Sequence, residues 1–393
     1  MKQTPESVGR QGSTRDLLAV AALFVTNGLA VGVFGGSLPG LRDHLSLQPG
    51  HLVGVLVAAA IFAVASMNLS GPLADRIGAR GPSLVGGAGM AMGTVVMGAA
   101  GDYPTLVAGA AIFGLGNGAM DVSMNALGVS VEQARRRPVM SRLHASFSIG
   151  NLVGALVVVV LGQLLTADIV PRWSLWGGAL IVAALLAVLV RLAPQSPPRA
   201  GSGKGEKREK VPVIAWLLAA MAVCFGLTEG TAIDWSSLHV TDVGEVSPSS
   251  GAWGLACVAG FMVVIRLVGD SVVEWLGRAT VVRGGSACAL LGYLLTAFTS
   301  ELSLILLGWS LVGLGVGLIA PQIYGLAGHI GGARGLALVV SFGYAAFLVG
   351  PAVIGFVASY ADLQRAMLVP VVTAVGLIVM SARLPADPTD PPR

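Results

Sequence analysis

The sequence predicts an all-α integral membrane protein of twelve transmembrane helices in two parallel six-helix repeats, and three observations carry this. Of 393 residues, 54% are hydrophobic and 11% charged, against roughly 25% charged in soluble domains; mean hydropathy is +0.80. Apolar runs of about 20 residues, enough to cross roughly 30 Å of hydrocarbon, recur twelve times. Segments of the first half return in the second at an offset of 198 to 199. A soluble enzyme, a disordered chain and a nucleic-acid binder are excluded by this composition. The 55 glycines suit close helix packing in lipid.

Residues 1–16, with Lys2, Arg10 and Arg15, read as a cytoplasmic N-terminal segment. The apolar run 17–38 is too long for a signal-peptide core and lacks an A-x-A-like exit, so it is the first retained span. The next five, near 51–70, 82–101, 105–130, 143–165 and 173–192, complete a bundle over 17–192. The stretch 193–212, APQSPPRAGSGKGEKREKVP, reads as a solvated cytoplasmic linker. Runs near 213–237, 250–269, 280–299, 302–326, 336–358 and 364–382 form a second bundle over 213–384, and 385–393 is a cytoplasmic tail.

With the N-terminus inside, every Lys and Arg except Arg42, Arg172 and Arg365 falls on the inner side, which obeys the positive-inside rule. That asymmetry accounts for the pI of 9.2 without nucleic acid, and places the chain in the cytoplasmic (inner) membrane with both termini cytoplasmic. Trp173, Trp176, Trp235, Trp253, Trp275 and Trp309 lie near predicted span ends, as interfacial aromatics do. Cys224, Cys257 and Cys288 lack paired spacing and read as buried small hydrophobes. His44, His51, His239 and His329 are scattered near predicted ends without metal-ligand spacing, so no metal or cofactor is expected.

The repeat rests on three pairs. Gly114-Leu-Gly-Asn-Gly118 returns as Gly313-Leu-Gly-Val-Gly317, Asp75-Arg-Ile-Gly78 as Glu274-Trp-Leu-Gly277, and Gly28-Leu-Ala-Val-Gly32 as Gly226-Leu-Thr-Glu-Gly230. Both halves begin on the same side, so the repeats are parallel, an architecture of secondary transporters.

Gly71-Pro-Leu-Ala-Asp75-Arg76-Ile-Gly78-Ala-Arg80, between spans 2 and 3, resembles the signature loop motif of the major facilitator superfamily, and a degenerate copy runs from Arg266 through Asp270 and Glu274 to Arg278. The resemblance covers the whole chain. Asp121-Val-Ser-Met-Asn125, Leu143-His144 and Glu229-Gly-Thr-Ala-Ile-Asp234-Trp235 look like the sugar-permease-like branch distantly related to fucose permeases. The resemblance implies that spans 1, 4, 7 and 10 line a central cavity. It also implies that Asp75, Arg76, Arg80, Asp270 and Glu274 form a cytoplasmic gate.

Polar residues on the cavity-lining spans are the candidates for function, because an ionisable group in hydrocarbon costs at least ~2.5–3.5 kcal/mol. Asn117, Asp121 and Asn125 share one face of span 4 at i, i+4, i+8. Asn27 lies in span 1, and Gln322 and Tyr324 lie in span 10 beside Pro321. His144, Ser148 and Asn151 share a face of span 5. These nine are the substrate-binding candidates. Glu229, placed in the outer half of span 7 with few basic neighbours in sequence, is the foremost proton-coupling candidate, followed by Asp121 and by Asp234 nearer the interface. Structural readings stand beside these: Asp121 paired with Arg142 or the Arg135-Arg136-Arg137 cluster, Glu229 in a structural pair, Asp234 as a boundary residue, and His144 bonded to a carbonyl or water.

Gly114-Leu-Gly-Asn-Gly118 imitates a dinucleotide loop but lies inside an apolar span, and Gly201-Ser-Gly-Lys204 is followed by Gly205 where a phosphate loop needs Ser or Thr. No ATP engine and no catalytic constellation is visible, so the chain is not expected to be an enzyme. With Arg266 placed at the cytoplasmic end of span 8, no cationic fork is available for an organic anion. The expectation is a monomeric secondary transporter moving a small polar, neutral, sugar-like solute by alternating access with proton symport. The alternative is proton-antiport efflux of drugs or metabolites: Gly150-Asn-Leu-Val-Gly154-Ala lacks the Gly-Pro of the antiporter motif, though Gly350-Pro351 occurs in span 11.

Overall fold

A computed structural model describes residues 13–137, 139–195 and 212–384. The expected N-terminal segment up to residue 12, the body of the linker with Gly201-Ser-Gly-Lys204 and Gly205, and the tail 385–393 lie outside the described residues.

Twelve helices are long and apolar enough to cross a membrane: α1 Thr14–His44, α2 Gly50–Ile77, α3 Arg80–Ala99, α4 Tyr103–Arg135, α5 Met140–Leu164, α6 Val170–Leu192, α7 Val213–Val243, α8 Pro248–Leu276, α9 Arg278–Phe298, α10 Leu302–Ile330, α11 Arg334–Tyr360 and α12 Leu363–Ser381. The described residues contain no strand, as expected where every backbone polar group in hydrocarbon must be satisfied within its own segment. The chain is a multi-pass membrane protein.

Local chemistry sets the helix ends. Ser13 and Asp16 form a reciprocal capping box at the start of α1, with Asp16 N donating to Ser13 Oγ at 3.1 Å and Ser13 N to Asp16 Oδ2 at 3.2 Å. Asp102 caps α4 by accepting from Thr105 N at 2.8 Å. α5 has no side-chain cap of its own; instead Val139 N and Met140 N donate to Glu132 Oε2 from the end of α4, at 2.7 and 3.1 Å. The helical trace Ile319–Tyr360 is continuous yet holds parts of two spans. A Cβ on Gly335 would lie 3.1 Å from the Ala327 carbonyl oxygen, whereas residues eight apart in a straight helix are about 12 Å distant. The chain therefore doubles back there.

The helices fall into two compact units, one of Met1–Ser46 and Ala58–Glu206, the other of Leu47–Val57 and Lys207–Arg393. In the first, α1 packs on α5 and α6, and α3 on α4 and α6; in the second, α7 packs on α11 and α12, and α9 on α10 and α12. Individual glycine contacts recur at the sequence offset. A Cβ on Gly93 would lie 2.7 Å from the Gly109 carbonyl oxygen, and one on Gly292 would lie 2.5 Å from that of Gly308. Gly114 presses on the Ala59 backbone as Gly313 does on that of Val258, and Gly116 faces Gly86 as Gly315 faces Gly285. Absent side chains let these backbones meet, which is how helices associate when lipid removes the hydrophobic drive between them.

Three sequence expectations are corrected. Trp235 and Trp309 are buried inside their unit rather than interfacial, while Trp173, Trp253 and Trp275 are exposed. His239 is fully buried and bonded on both ring nitrogens: Trp309 Nε1 donates to Nδ1 at 3.4 Å, and Nε2 lies 3.1 Å from the Thr296 carbonyl oxygen. A neutral imidazole with its proton on Nε2 satisfies both contacts. The three cysteines are free and half-buried rather than buried.

Candidate functional site

In the first unit the packing of α1 against α4 brings Asn27 and Asn117 together. Asn27, almost wholly buried, donates from Nδ2 to Asn117 Oδ1 at 3.1 Å and to Met90 Sδ at 3.4 Å. Further along α4, Asn125 Nδ2 donates to the Asp121 carbonyl oxygen at 2.9 Å and to its Oδ1 at 3.2 Å. The i, i+4 spacing read from the sequence therefore becomes direct contact. On α5, Ser148 Oγ donates to the His144 carbonyl oxygen at 3.2 Å, and the His144 ring stands edge-on to Phe24 at 5.4 Å. Asn151 is buried, and its Oδ1 has no hydrogen-bond partner among the described residues.

The second unit overturns three expectations. Arg266 does not sit at the end of its span. It is buried well inside α8, at 7% exposure, where Nη2 meets Glu229 Oε1 at 3.2 Å and Nε donates to the Gly317 carbonyl oxygen at 3.1 Å. Glu229 lies near the middle of α7 rather than in one half of it, because the helix continues to Val243. It is held in an ion pair with Arg266. Asp234 is also corrected: with α7 reaching Val243 it stands inside the helix, not at its boundary. It is half-buried and makes no hydrogen bond or ion pair among the described residues.

Beside the pair, Tyr293 Oη donates to the Thr228 carbonyl oxygen, and the Thr228 and Thr373 hydroxyls meet at 2.8 Å. Tyr293, Trp309 and His239 stack edge to face in series at 5.7 and 5.5 Å. Gln322 lines a small hollow with Leu218, Arg278, Ile323, Leu326 and Leu384. The Tyr324 hydroxyl lies against Gly343, where a Cβ would approach it to 2.5 Å.

Of the loop-motif residues, Asp75, Arg76, Asp270 and Glu274 are exposed, and Arg80 donates to the Val190 carbonyl oxygen at the end of α6. Among the described residues no cluster of His, Cys, Asp or Glu fits a metal ion.

Sequence reasoning missed Arg266, and a signal was present. Pro321 lies four residues after Gly317 and removes the N–H its carbonyl would accept, so a donor from another helix had to be sought. Arg266, the only buried arginine among the described residues, supplies it.

Residues 20–338 match the profile of the Major Facilitator Superfamily. An uncharacterized MFS-type transporter of Yersinia pestis is 30% identical over 370 residues, covering 91% of each chain. The structure of the nucleoside transporter NupG aligns with a TM-score of 0.73 at 14% identity over 93% of this chain and 98% of that one. The human organic anion transporter MFSD10 aligns at 0.67 and 17% identity over 96% and 100%. These two structures show the fold, and they are named for different solutes. With the profile spanning most of its length and a relative aligned over nine-tenths of both sequences, the chain belongs to the major facilitator superfamily and is a secondary transporter, not an enzyme.

Proposed function

We propose that the chain imports a small, neutral, polar solute, sugar-like or nucleoside-like, across the inner membrane by alternating access, as a monomer with cytoplasmic termini, driven by proton symport. The observation that carries this reading is the pairing of Arg266 with Glu229. The buried arginine is neutralised by its partner, so this side chain is not offered to an organic anion such as those for which MFSD10 is named. The candidate residues are amides, hydroxyls, a carboxylate and an imidazole: Asn27, Asn117, Asp121, Asn125, His144, Ser148 and Asn151 in the first unit, and Gln322 and Tyr324 in the second. Such groups suit a ligand rich in hydroxyls, and NupG is named for nucleosides.

Glu229 is engaged by Arg266, so Asp234 and Asp121 take precedence as carriers of the coupled proton. Asp75, Arg76, Arg80, Asp270 and Glu274 are the residues assigned to the cytoplasmic gate.

The second reading, proton-antiport efflux, is favoured by Gly350-Pro351 inside α11 and by the carboxylate of Asp234, which would suit a cationic cargo. A thermal-shift screen of the purified protein against neutral sugars, polyols, nucleosides and cationic drugs separates them, followed by proton flux in proteoliposomes. Stabilisation by a neutral solute that then carries protons inward with it is the expected result. Stabilisation only by lipophilic cations, with protons moving the opposite way, overturns it in favour of efflux.

A further inference from the structure

α10 is broken where α4 is not. Its first segment, Leu302–Val316, ends at Gly317, and the helix resumes at Ile319, whereas α4 runs unbroken from Tyr103 to Arg135. Pro321 is the cause. The Gly317 carbonyl would accept from the N–H of residue 321, and proline has none. In hydrocarbon an orphaned carbonyl must find another donor, and the one it finds is Arg266 Nε at 3.1 Å. The guanidinium cannot stay buried uncompensated, and Glu229 Oε1 at 3.2 Å compensates it. Three helices thus meet at one side chain. At the repeat offsets of 198, 199 and 199, the first half has Val31, Met67 and Val122 where the second has Glu229, Arg266 and Pro321. The proline, its substitute donor and the counter-ion occur together in one half and are all missing from the other.

We infer that Arg266 is a positioning residue for the second segment of α10: it replaces the hydrogen bond that Pro321 removes from Gly317, with Glu229 as its counter-ion, and so fixes the direction in which Gln322 and Tyr324 are presented. The planar fork of arginine sends donors in separate directions, toward α7 and α10 together. A lysine ammonium at this position keeps the charge but does not reproduce that fork. The inference rests on the proposed transport reading only for what Gln322 and Tyr324 touch; the joint itself does not depend on it.

The test uses the full chain with Cys224, Cys257 and Cys288 replaced by Ser and a reporter Tyr324→Cys, and it reads the rate of labelling by a water-soluble maleimide. Asn125→Cys in the first unit is the control site. Arg266→Lys and the neutral pair Glu229→Gln/Arg266→Met are each made with and without Pro321→Ala, which restores the missing N–H. Both variants are expected to speed labelling at Tyr324→Cys severalfold relative to the control, and Pro321→Ala to return the ratio to that of the parent. Labelling of Arg266→Lys at the parent rate overturns the inference, as does an equal effect of Pro321→Ala in every background. Should either variant fail to fold, recovery of folding by Pro321→Ala supports the joint, and continued failure overturns it. Since no solute enters the assay, failure here is distinct from failure of the transport reading, which the solute screen decides.

Discussion

Gly78 and Gly277 stand 199 positions apart, and both hold positive φ, 90° and 75°, at the corner within each copy of the loop motif. A positive φ of this kind costs an L-residue roughly 1–3 kcal/mol, so each glycine serves the turn itself while the residues around the two differ. Gly78→Ala and Gly277→Ala are each expected to lower stability by about that amount in reversible denaturant unfolding. Gly81→Ala, where an added Cβ meets nothing within 4 Å, is the matched control and should leave it unchanged or slightly raised.

Adjacent glycines on α9 give a sharper contrast. A Cβ on Gly285 would lie 2.5 Å from the Gly315 carbonyl oxygen, while one on Gly284 meets nothing within 4 Å. Gly284→Ala is expected to be neutral or stabilising by about 0.4–1 kcal/mol, through the reduced freedom of the unfolded chain. Gly285→Ala must push α9 and α10 apart and should destabilise by about 1–3 kcal/mol, as overpacking does. Equal melting temperatures for the two variants would contradict the close approach of these helices.

The contact between Asn27 and Asn117 is a polar link across α1 and α4 in lipid. Interhelical hydrogen bonds of this kind contribute about 0.6–2 kcal/mol. A double-mutant cycle with Asn27→Ala and Asn117→Ala should give a coupling energy in that range. The two residues also read as solute contacts, so each single variant should weaken thermal stabilisation by the best neutral solute. Loss of stability with unchanged solute response would assign the link to structure alone.

Much of this architecture is legible in the sequence, because lipid imposes rules that composition obeys. Twelve apolar runs become twelve helices, and the Gly114/Gly313 repeat becomes the same backbone contact in each unit. The errors lie where the signal is a relation between helices. Arg266 looks like a span-end cation on a one-dimensional hydropathy trace. Its place in the core follows only from Gly317 and Pro321 on one neighbouring helix and Glu229 on another. Asp234 and Glu229 are misplaced in depth for a different reason: α7 continues through the polar run from Ser236 to Thr241 because those side chains are buried, with Thr241 Oγ1 donating to the Ser237 carbonyl oxygen at 2.9 Å. Asp121 and Asn125 were readable because helical spacing alone brings them together.

Asp102 offers a test of pH dependence outside the spans. It is exposed, and the backbone N–H of Thr105 bonded to its carboxylate holds the group below its ordinary value of 3.8. A carboxyl lowered in the folded state contributes stability above its unfolded pKa and loses it as pH falls through the folded one. The stability difference between the parent and Asp102→Asn should therefore be constant at neutral pH and shrink once pH falls below about 4. Unfolding midpoints measured from pH 7 to pH 3 give this difference directly, and a gap that widens in acid would have the wrong sign for a cap.

Glu229→Gln distinguishes a structural ion pair from a proton carrier. Removing one member of a buried pair leaves the other uncompensated and costs about 3–5 kcal/mol, whereas replacing both with neutral side chains of similar volume is often close to neutral. The single variant is thus expected to be markedly less stable than the parent in denaturant unfolding, and Glu229→Gln/Arg266→Met to recover most of the loss, except for the part owed to the Gly317 carbonyl. If Glu229 carried the coupled proton, the charge-neutral double variant with Pro321→Ala added, which restores the hydrogen bond to Gly317, would fold and still lose uphill uptake. If it serves only to balance Arg266, uphill uptake should survive in that triple variant and disappear in Asp234→Asn.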